Sequence, residues 1–235
     1  MGIKENVAAI RAEIDSAAIR AGRDPGEIKI VAATKMNDCA RVREAVEAGV
    51  EICGENRVQE MTEKLSQGAY EGAELHFIGH LQKNKVKQVV GAAKLIHSVD
   101  TAALMDEIDR IAEKKGIVQD ILIEINVGGE ESKSGFEAGA LPGALAHAAE
   151  LEHIRVRGLM TIPPKCEHGE ENRHFFDFLH QLSVDNGGKK YDNVSMDFLS
   201  MGMSDDYAVA VECGASFVRI GTAIFGQRNY AKPSP

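Results

Sequence analysis

The sequence predicts a (β/α)8 barrel. Two observations carry that prediction: short apolar runs of strand length alternate with amphipathic helical patterns, and eight such runs fit into 235 residues. Strands separated by helices imply a parallel sheet, and eight of them in a chain of this size match a closed barrel. A doubly wound open sheet is the alternative. It usually has fewer strands and asks for a glycine-rich first turn, whereas the first strand here ends in a lysine, Lys35. The predicted strands are Ile28–Thr34, Val50–Gly54, Leu75–Gly79, Lys94–Val99, Ile121–Val127, Val156–Ile162, Val194–Ser200 and Phe217–Phe225.

Taken in order, the first 27 residues form an extra helix, Lys4 to Ala21, stopped at Gly22. Its stripe of Val7, Ile10, Ile14 and Ala18 is suited to packing on the barrel. Asp24-Pro25-Gly26 is a strong turn signal ahead of the first strand. After Lys35, Asn37 and Asp38 are N-cap candidates for a helix from Arg41 to Val50, ended at Gly49. A helix over Thr101–Lys115 places Leu104, Ile108 and Ile111 on one face and stops at Gly116. Another, Gly169–Val184, carries Phe175, Phe176, Leu179 and Leu182. The tail after Tyr230, residues 231–235, reads as frayed. No linker, repeat or low-complexity segment divides the chain, so residues 1–235 are read as one domain.

Composition excludes several function classes. The formal net charge of −9 and the lack of a long Lys/Arg block argue against a nucleic-acid partner. No apolar run approaches the roughly 20 residues of a membrane span, and the polar N-terminus is not a secretory signal. Cys39, Cys53, Cys166 and Cys213 are widely spaced, which fits neither a disulfide framework nor a zinc site and suits a reducing cytoplasm. His76 and His80 share strand parity, but a third ligand is missing, so no metal site is expected.

The chemistry-bearing candidates collect at strand ends. Lys35 stands where the first strand hands over to a helix, at the end where α/β proteins hold ligands. Lysine there is either a solvated surface residue or the amine that holds pyridoxal phosphate as a Schiff base. In the last strand, Val218 and Ile220 suit the outer helices, which turns Phe217, Arg219 and Gly221 toward the barrel interior. A guanidinium there needs acceptors: an internal carboxylate such as Asp197 or Glu124, or a heteroatom of a cofactor. Gly221 and Thr222 follow, and the seventh strand ends in Ser200-Met201-Gly202-Met203-Ser204-Asp205-Asp206. Loops after strands 7 and 8 are the commonest phosphate site in such barrels. Asn56 either reaches a ring hydroxyl or bound water beside Lys35, or caps the next helix. Lys83, Lys85 and Lys87 form a basic cluster after the third strand, either a solvated face or a surface that steers anions.

Together, Ala33-Thr34-Lys35, Gly54-Glu55-Asn56-Arg57-Val58-Gln59-Glu60, the block His76-Phe77-Ile78-Gly79-His80-Leu81-Gln82-Lys83-Asn84-Lys85, Ser200 to Asp206, and Arg219-Ile220-Gly221-Thr222 resemble the pyridoxal phosphate homeostasis protein family. The match runs from about Ile3 to Tyr230. That family resembles the barrel, the N-terminal domain, of fold-type III pyridoxal phosphate enzymes such as alanine racemase. The resemblance implies pyridoxal 5'-phosphate as cofactor, with Lys35 as the Schiff-base lysine and Arg219 facing the pyridine nitrogen. It implies phosphate contacts from Ser200, Gly221 and Thr222, and Asn56 close to the cofactor.

The expected function is a cytoplasmic binder of pyridoxal 5'-phosphate that buffers or delivers it in vitamin B6 homeostasis, with no established catalytic activity. A low-activity amino-acid racemase or lyase is the alternative. Such an enzyme needs an acid or base on each face of its substrate. Tyr70, Tyr191, Tyr207 and Tyr230 are the tyrosine candidates opposite Lys35, since the racemases' tyrosine comes from a second domain that would begin where this chain ends. Apo-enzymes that use the cofactor are the expected partners, and the expected assembly is a monomer.

Overall fold

A computed structural model describes residues 2–130, 133–188 and 191–226. Tyr230 and the tail 231–235 lie outside those residues. Eight parallel strands close on themselves in chain order. They are β1 Lys29–Ala33, β2 Ile52–Glu55, β3 Glu74–Phe77, β4 Leu95–Val99, β5 Gln119–Glu124, β6 Ile154–Met160, β7 Val194–Ser200 and β8 Phe217–Ile220. The ring closes where β1 pairs with β8, Val31 opposite Arg219 and Ala32 opposite Ile220.

The expected parity is what the sheet adopts. Val31, Ala33, Ile52, Ile78, Leu95, Leu122, Met160 and Phe217 form a separate apolar cluster inside the ring. Val218 and Ile220 join the larger core between sheet and helices. The barrel is therefore filled by side chains, with this apolar cluster packed beside the buried polar side chains of His76, His97 and Ser200.

Helices α1 Ile3–Arg20, α2 Cys39–Glu47, α3 Val58–Ser66, α4 Val86–Val89, α5 Ala102–Lys115, α6 Leu141–Ala149, α7 Arg173–Gly187, α8 Tyr207–Glu212 and α9 Thr222–Phe225 surround the sheet. Their ends follow local chemistry. The Asp38 carboxylate accepts from the Arg41 N–H to start α2, and the Thr101 hydroxyl accepts from the Leu104 N–H to start α5. Gly116 closes α5 in the left-handed conformation at φ 64°.

Helix α1 buries Val7, Ile10, Ile14 and Ala18 against the barrel wall, where each isoleucine contributes about 1.5–3 kcal/mol. It lies across α8 and α9, and the Asn6 amide donates to the Ile224 carbonyl at 2.9 Å.

Several element boundaries differ from the sequence prediction, and four of them show a physical reason. The apolar run from Phe217 to Phe225 is not one strand. At Gly221 the backbone bends (φ −114°, ψ −76°), and the Ile224 and Phe225 N–H groups donate to the Gly221 carbonyl at 3.0 and 2.9 Å, starting α9. Periodicity cannot separate a buried strand from a short buried helix turn. Strands β5 and β6 begin two residues earlier than their apolar runs, at Gln119 and Ile154. Asp120 pairs with Arg155 at 2.7 Å and Arg157 at 3.2 Å, so polar residues satisfy one another within the sheet. The predicted Gly169–Val184 helix opens as a 3-10 turn, Gly169–Asn172, before α7 begins.

The loop after β3 passes so close to the loop after β2 that only glycine fits between them. A Cβ on Gly79 would lie 2.2 Å from the Asn56 carbonyl oxygen. Gly79→Ala is therefore expected to cost about 2–4 kcal/mol in urea unfolding. An unchanged unfolding midpoint would mean that the two loops separate freely.

Candidate functional site

Lys35, Asn56, Ser200, Arg219, Gly221 and Thr222 all lie at or just beyond the carboxyl ends of β1, β2, β7 and β8. These strands are neighbours around the ring, so the structure brings the six residues to one mouth of the barrel.

Lys35 is half-buried and begins a tight turn. Its carbonyl accepts from the Asn37 amide at 3.2 Å, and Met36 adopts a left-handed φ of 60°. That conformation costs a non-glycine residue roughly 1–2 kcal/mol, so the surroundings must hold it. The Met36 N–H donates to Glu60 Oε2 at 2.7 Å. Lys64, 6% exposed, lies beneath. Its ammonium donates to the Thr34 carbonyl at 2.8 Å, Glu55 Oε1 at 2.5 Å and Glu60 Oε2 at 3.3 Å, which uses all three of its hydrogens. Glu55 is fully buried and also accepts from the Thr34 hydroxyl at 2.6 Å and the Tyr70 hydroxyl at 3.2 Å. Arg41 spans the gap to β8: it donates to Asn37 Oδ1 at 3.1 Å and to the Phe225 carbonyl.

Arg219 points into the barrel and is 5% exposed. Neither proposed carboxylate bonds to it directly. Asp197 is held by Arg157 at 2.9 Å, and the Arg219 guanidinium donates to Ser200 Oγ at 2.6 Å and the Thr161 carbonyl at 2.8 Å. Burial lowers its pKa to about 10, against the support of Glu124 and Asp206, so it stays cationic at neutral pH. Glu124, at the end of β5, feels the same desolvation. Burial and then Asp100 raise its pKa to about 7, while Arg219 and His80 oppose the rise.

A cavity of about 220 Å³ opens beside these groups, with Asn56, Gly79, Ser98, Glu124 and Met160 among its walls. Into this region Asn56 brings a buried side-chain oxygen, Oδ1, that accepts no hydrogen bond. A buried acceptor without a donor costs free energy, and a ligand carrying an O–H or N–H would remove that cost. A larger cavity, about 890 Å³, lies at the opposite end, bordered by Arg23, Asp197 and Ser216. Two of its polar walls are already engaged, Arg23 by the Val211 and Ala215 carbonyls and Asp197 by Arg157. The functional groups gather at the first mouth.

Other candidates fall elsewhere. The Tyr70 hydroxyl is held by Glu55 and that of Tyr207 by Glu13; burial, first of the causes in each, raises both pKa values. Tyr191 precedes β7, at the far end of the barrel. His80 lies beyond β3 and pairs with Asp100 at 3.2 Å. Among the described residues no group of three His, Cys, Asp or Glu is placed to hold a metal. Lys83 and Lys87 are exposed and Lys85 half-buried, and the Lys87 carbonyl meets Lys115 Nζ at 3.0 Å at the end of α5. The cluster thus runs along the outer wall, away from the mouth.

Two groups of residues went unread in the sequence. Lys64 looks like any helix-surface lysine there, because only the fold shows what its ammonium meets. His97 hides inside the apolar run of β4, although a lone histidine in such a run was the available signal.

Residues 5–229 match the family described as "Alanine racemase, N-terminal domain". A pyridoxal phosphate homeostasis protein from Aquifex aeolicus is 45% identical, over 98% of this chain and 100% of its own length. One of the same name from Escherichia coli is 39% identical, over 98% of each chain. Among solved structures, PipY of Synechococcus elongatus with pyridoxal phosphate bound superposes at a TM-score of 0.82. It is 30% identical, with 95% of this chain and all of that one covered. Among the described residues, no helix is long and apolar enough to cross a membrane.

The Lys64 contacts make a stability prediction. Lys64→Met strands the buried Glu55 carboxylate and should cost about 3–5 kcal/mol. Adding Glu55→Leu should restore part of that loss, because the stranded charge is then removed. Urea denaturation of the single and double variants decides it; equal losses in both would mean that the pair is not coupled.

Proposed function

The chain belongs to the pyridoxal phosphate homeostasis protein family, and we propose that it holds pyridoxal 5'-phosphate reversibly at this mouth as a carrier, without turning over an amino acid. Pyridoxal phosphate supplies an aldehyde that condenses with an amine and a ring that withdraws electrons most strongly when its nitrogen is protonated. Lys35 is the amine in this reading. Ser200, Gly221 and Thr222 take the phosphate, and Arg219 faces the ring nitrogen. Asn56, with its unpartnered Oδ1, lies beside the cofactor.

One observation carries the choice of carrier over catalyst: the group offered to the ring is a buried guanidinium, not a carboxylate. Held near 10, its pKa keeps the proton on Arg219 at neutral pH. It would donate a hydrogen bond to the nitrogen without protonating it, which weakens the electron sink and leaves at best restricted chemistry such as racemisation. A racemase also needs a second acid or base across the substrate from Lys35. The hydroxyls of Tyr70 and Tyr207 are engaged by carboxylates, so neither is available for that role.

The four cysteines are free, which suits a cytoplasmic protein. Apo-enzymes that require the cofactor are the proposed recipients. The large exposed apolar side chains, Ile19, Met36, Leu65, Val118, Ile162, Phe178 and Val184, are spread over several elements, which favours a monomer. Light scattering should then give a mass near 25.4 kDa; twice that value would refute it.

The functional test is an absorbance spectrum with pyridoxal phosphate, then borohydride reduction and peptide mapping. A yellow adduct that the reduction bleaches and traps as a secondary amine on the peptide containing Lys35 is expected, and it should be lost in Lys35→Ala. The loaded protein should leave the α-proton of alanine unexchanged in deuterated water. A label on another lysine overturns the anchor, and rapid exchange overturns the carrier reading.

A further inference from the structure

A continuous file of polar side chains crosses the barrel interior from one end to the other. Glu74, the first residue of β3, has a largely exposed carboxylate 3.4 Å from His76 Nε2. His76 Nδ1 lies 2.9 Å from His97 Nε2. His97 Nδ1 lies 2.8 Å from Ser200 Oγ, and Ser200 Oγ accepts from Arg219 at 2.6 Å. His76, His97 and Ser200 are 2%, 0% and 0% exposed. The edge of the Phe217 ring covers His76 at 5.6 Å.

Hydrogen counting gives this file two polarities. Ser200 has one hydroxyl hydrogen, and Arg219 already uses one of its lone pairs. If Ser200 donates to His97 Nδ1, then His97 Nε2–H donates to His76 Nδ1 and His76 Nε2–H points at the Glu74 carboxylate. Both histidines are then neutral and every contact is satisfied. If His97 Nδ1–H instead donates to Ser200, the hydroxyl hydrogen is freed toward the mouth. His97 Nε2 must then accept from His76 Nδ1–H, and His76 still needs its Nε2–H to face Glu74. The second polarity therefore requires one more proton, and His76 carries it as an imidazolium.

We propose that an anionic phosphate seated at Ser200 switches the file from the first polarity to the second, drawing one proton from solvent at Glu74 onto His76. The inference rests on the assignment of Ser200 to the phosphate end. The surrounding charges support it. Without an anion the interior disfavours the imidazolium: burial pulls His76 down to about 4, Lys94 adding to this and Glu74 opposing it. His97 is held well below its ordinary range by burial, then by His76 and Arg219. Only His76, with the Glu74 carboxylate at hand, is placed to keep the charge. A phosphate dianion would repel the one remaining lone pair of Ser200 and attract the freed hydroxyl hydrogen, which supplies the bias.

The sign follows from linkage. A ligand that raises the pKa of His76 binds more tightly as pH falls, by at most tenfold per pH unit, and the gain is lost above the bound-state pKa. Pyridoxine 5'-phosphate is the suitable probe, since it carries the phosphate but no aldehyde and so leaves Lys35 chemistry out. Calorimetric titrations between about pH 5.5 and 8.5, in buffers of different ionisation enthalpy, count the protons taken up. The wild-type protein should take up to about one proton more than His76→Gln, which keeps a neutral hydrogen-bonding side chain. Equal uptake by two proteins that both bind would overturn the proposal while leaving the phosphate site intact. Binding by neither would overturn the site assignment, and the proposal with it. Histidine 15N shifts of the wild-type protein give a second measurement that needs no variant. His97 should change from the Nε2–H to the Nδ1–H tautomer on binding as His76 becomes doubly protonated; unchanged tautomers would refute the switch.

Discussion

A guanidinium in the interior of a barrel is the constraint from which the rest of the mouth follows. Arg219 cannot shed its charge at neutral pH, and a charge removed from water must find acceptors. Ser200 at the end of β7 and the Thr161 carbonyl just beyond β6 supply them. Both come from neighbouring strands, so three strand ends are tied to one side chain. Glu124 on β5 supplies compensating field without a direct bond, while its own burial raises its pKa to about 7. The middle of the barrel is closed by Val31, Leu95, Leu122 and Phe217. These apolar side chains and the buried His97 keep bulk water away from Arg219 from below, which makes its acceptors obligatory.

The other side of the mouth is organised by a second buried cation. Lys64 reaches inward from α3 and places its ammonium among Thr34, Glu55 and Glu60. Its effect is positional. Glu60 holds the Met36 N–H in a conformation that the backbone disfavours, and this fixes the direction in which the chain leaves Lys35. A small amount of backbone strain is sustained by a buried ion pair, and the side chain that benefits is the one best suited to bond an aldehyde. Arg41 joins the two halves, linking the turn after Lys35 to the carbonyl of Phe225 beyond β8.

The fold was legible because its signals are local. Alternating apolar runs gave eight strands, and Val218 and Ile220 gave the inward parity of Arg219. The caps at Asp38 and Thr101 and the stop at Gly116 are written in single residues. What could not be read depends on contacts between distant positions. The turn at Gly221 is decided by hydrogen bonds, not by composition, so the strand was drawn too long. Lys64 sits at an ordinary helix position, and nothing nearby in sequence announces that Thr34, thirty residues earlier, accepts from it. The six site candidates meet at one mouth because each was placed at or next to the carboxyl end of a strand, where barrels hold ligands. Strand spacing alone marks His76 as a metal candidate, because its true neighbour, His97, is 21 residues away on the next strand.

The depth of each group separates holding from releasing. Ser200 and Arg219 are buried beneath the mouth, while Lys35 is half-buried and Thr222 exposed. For a carrier this order is useful. Of the groups proposed for the ring and phosphate, Arg219 and Ser200 are shielded from water and would set affinity, while Thr222 lies at the exposed rim. The bond proposed at Lys35 would lie nearer to solvent than Ser200 and Arg219, where an incoming amine could reach it without first displacing those deep contacts. A catalyst benefits from the opposite arrangement, with the reacting carbon enclosed and flanked by acid and base. The charge and burial of these side chains therefore favour retention and exchange of the cofactor over chemistry performed on a substrate.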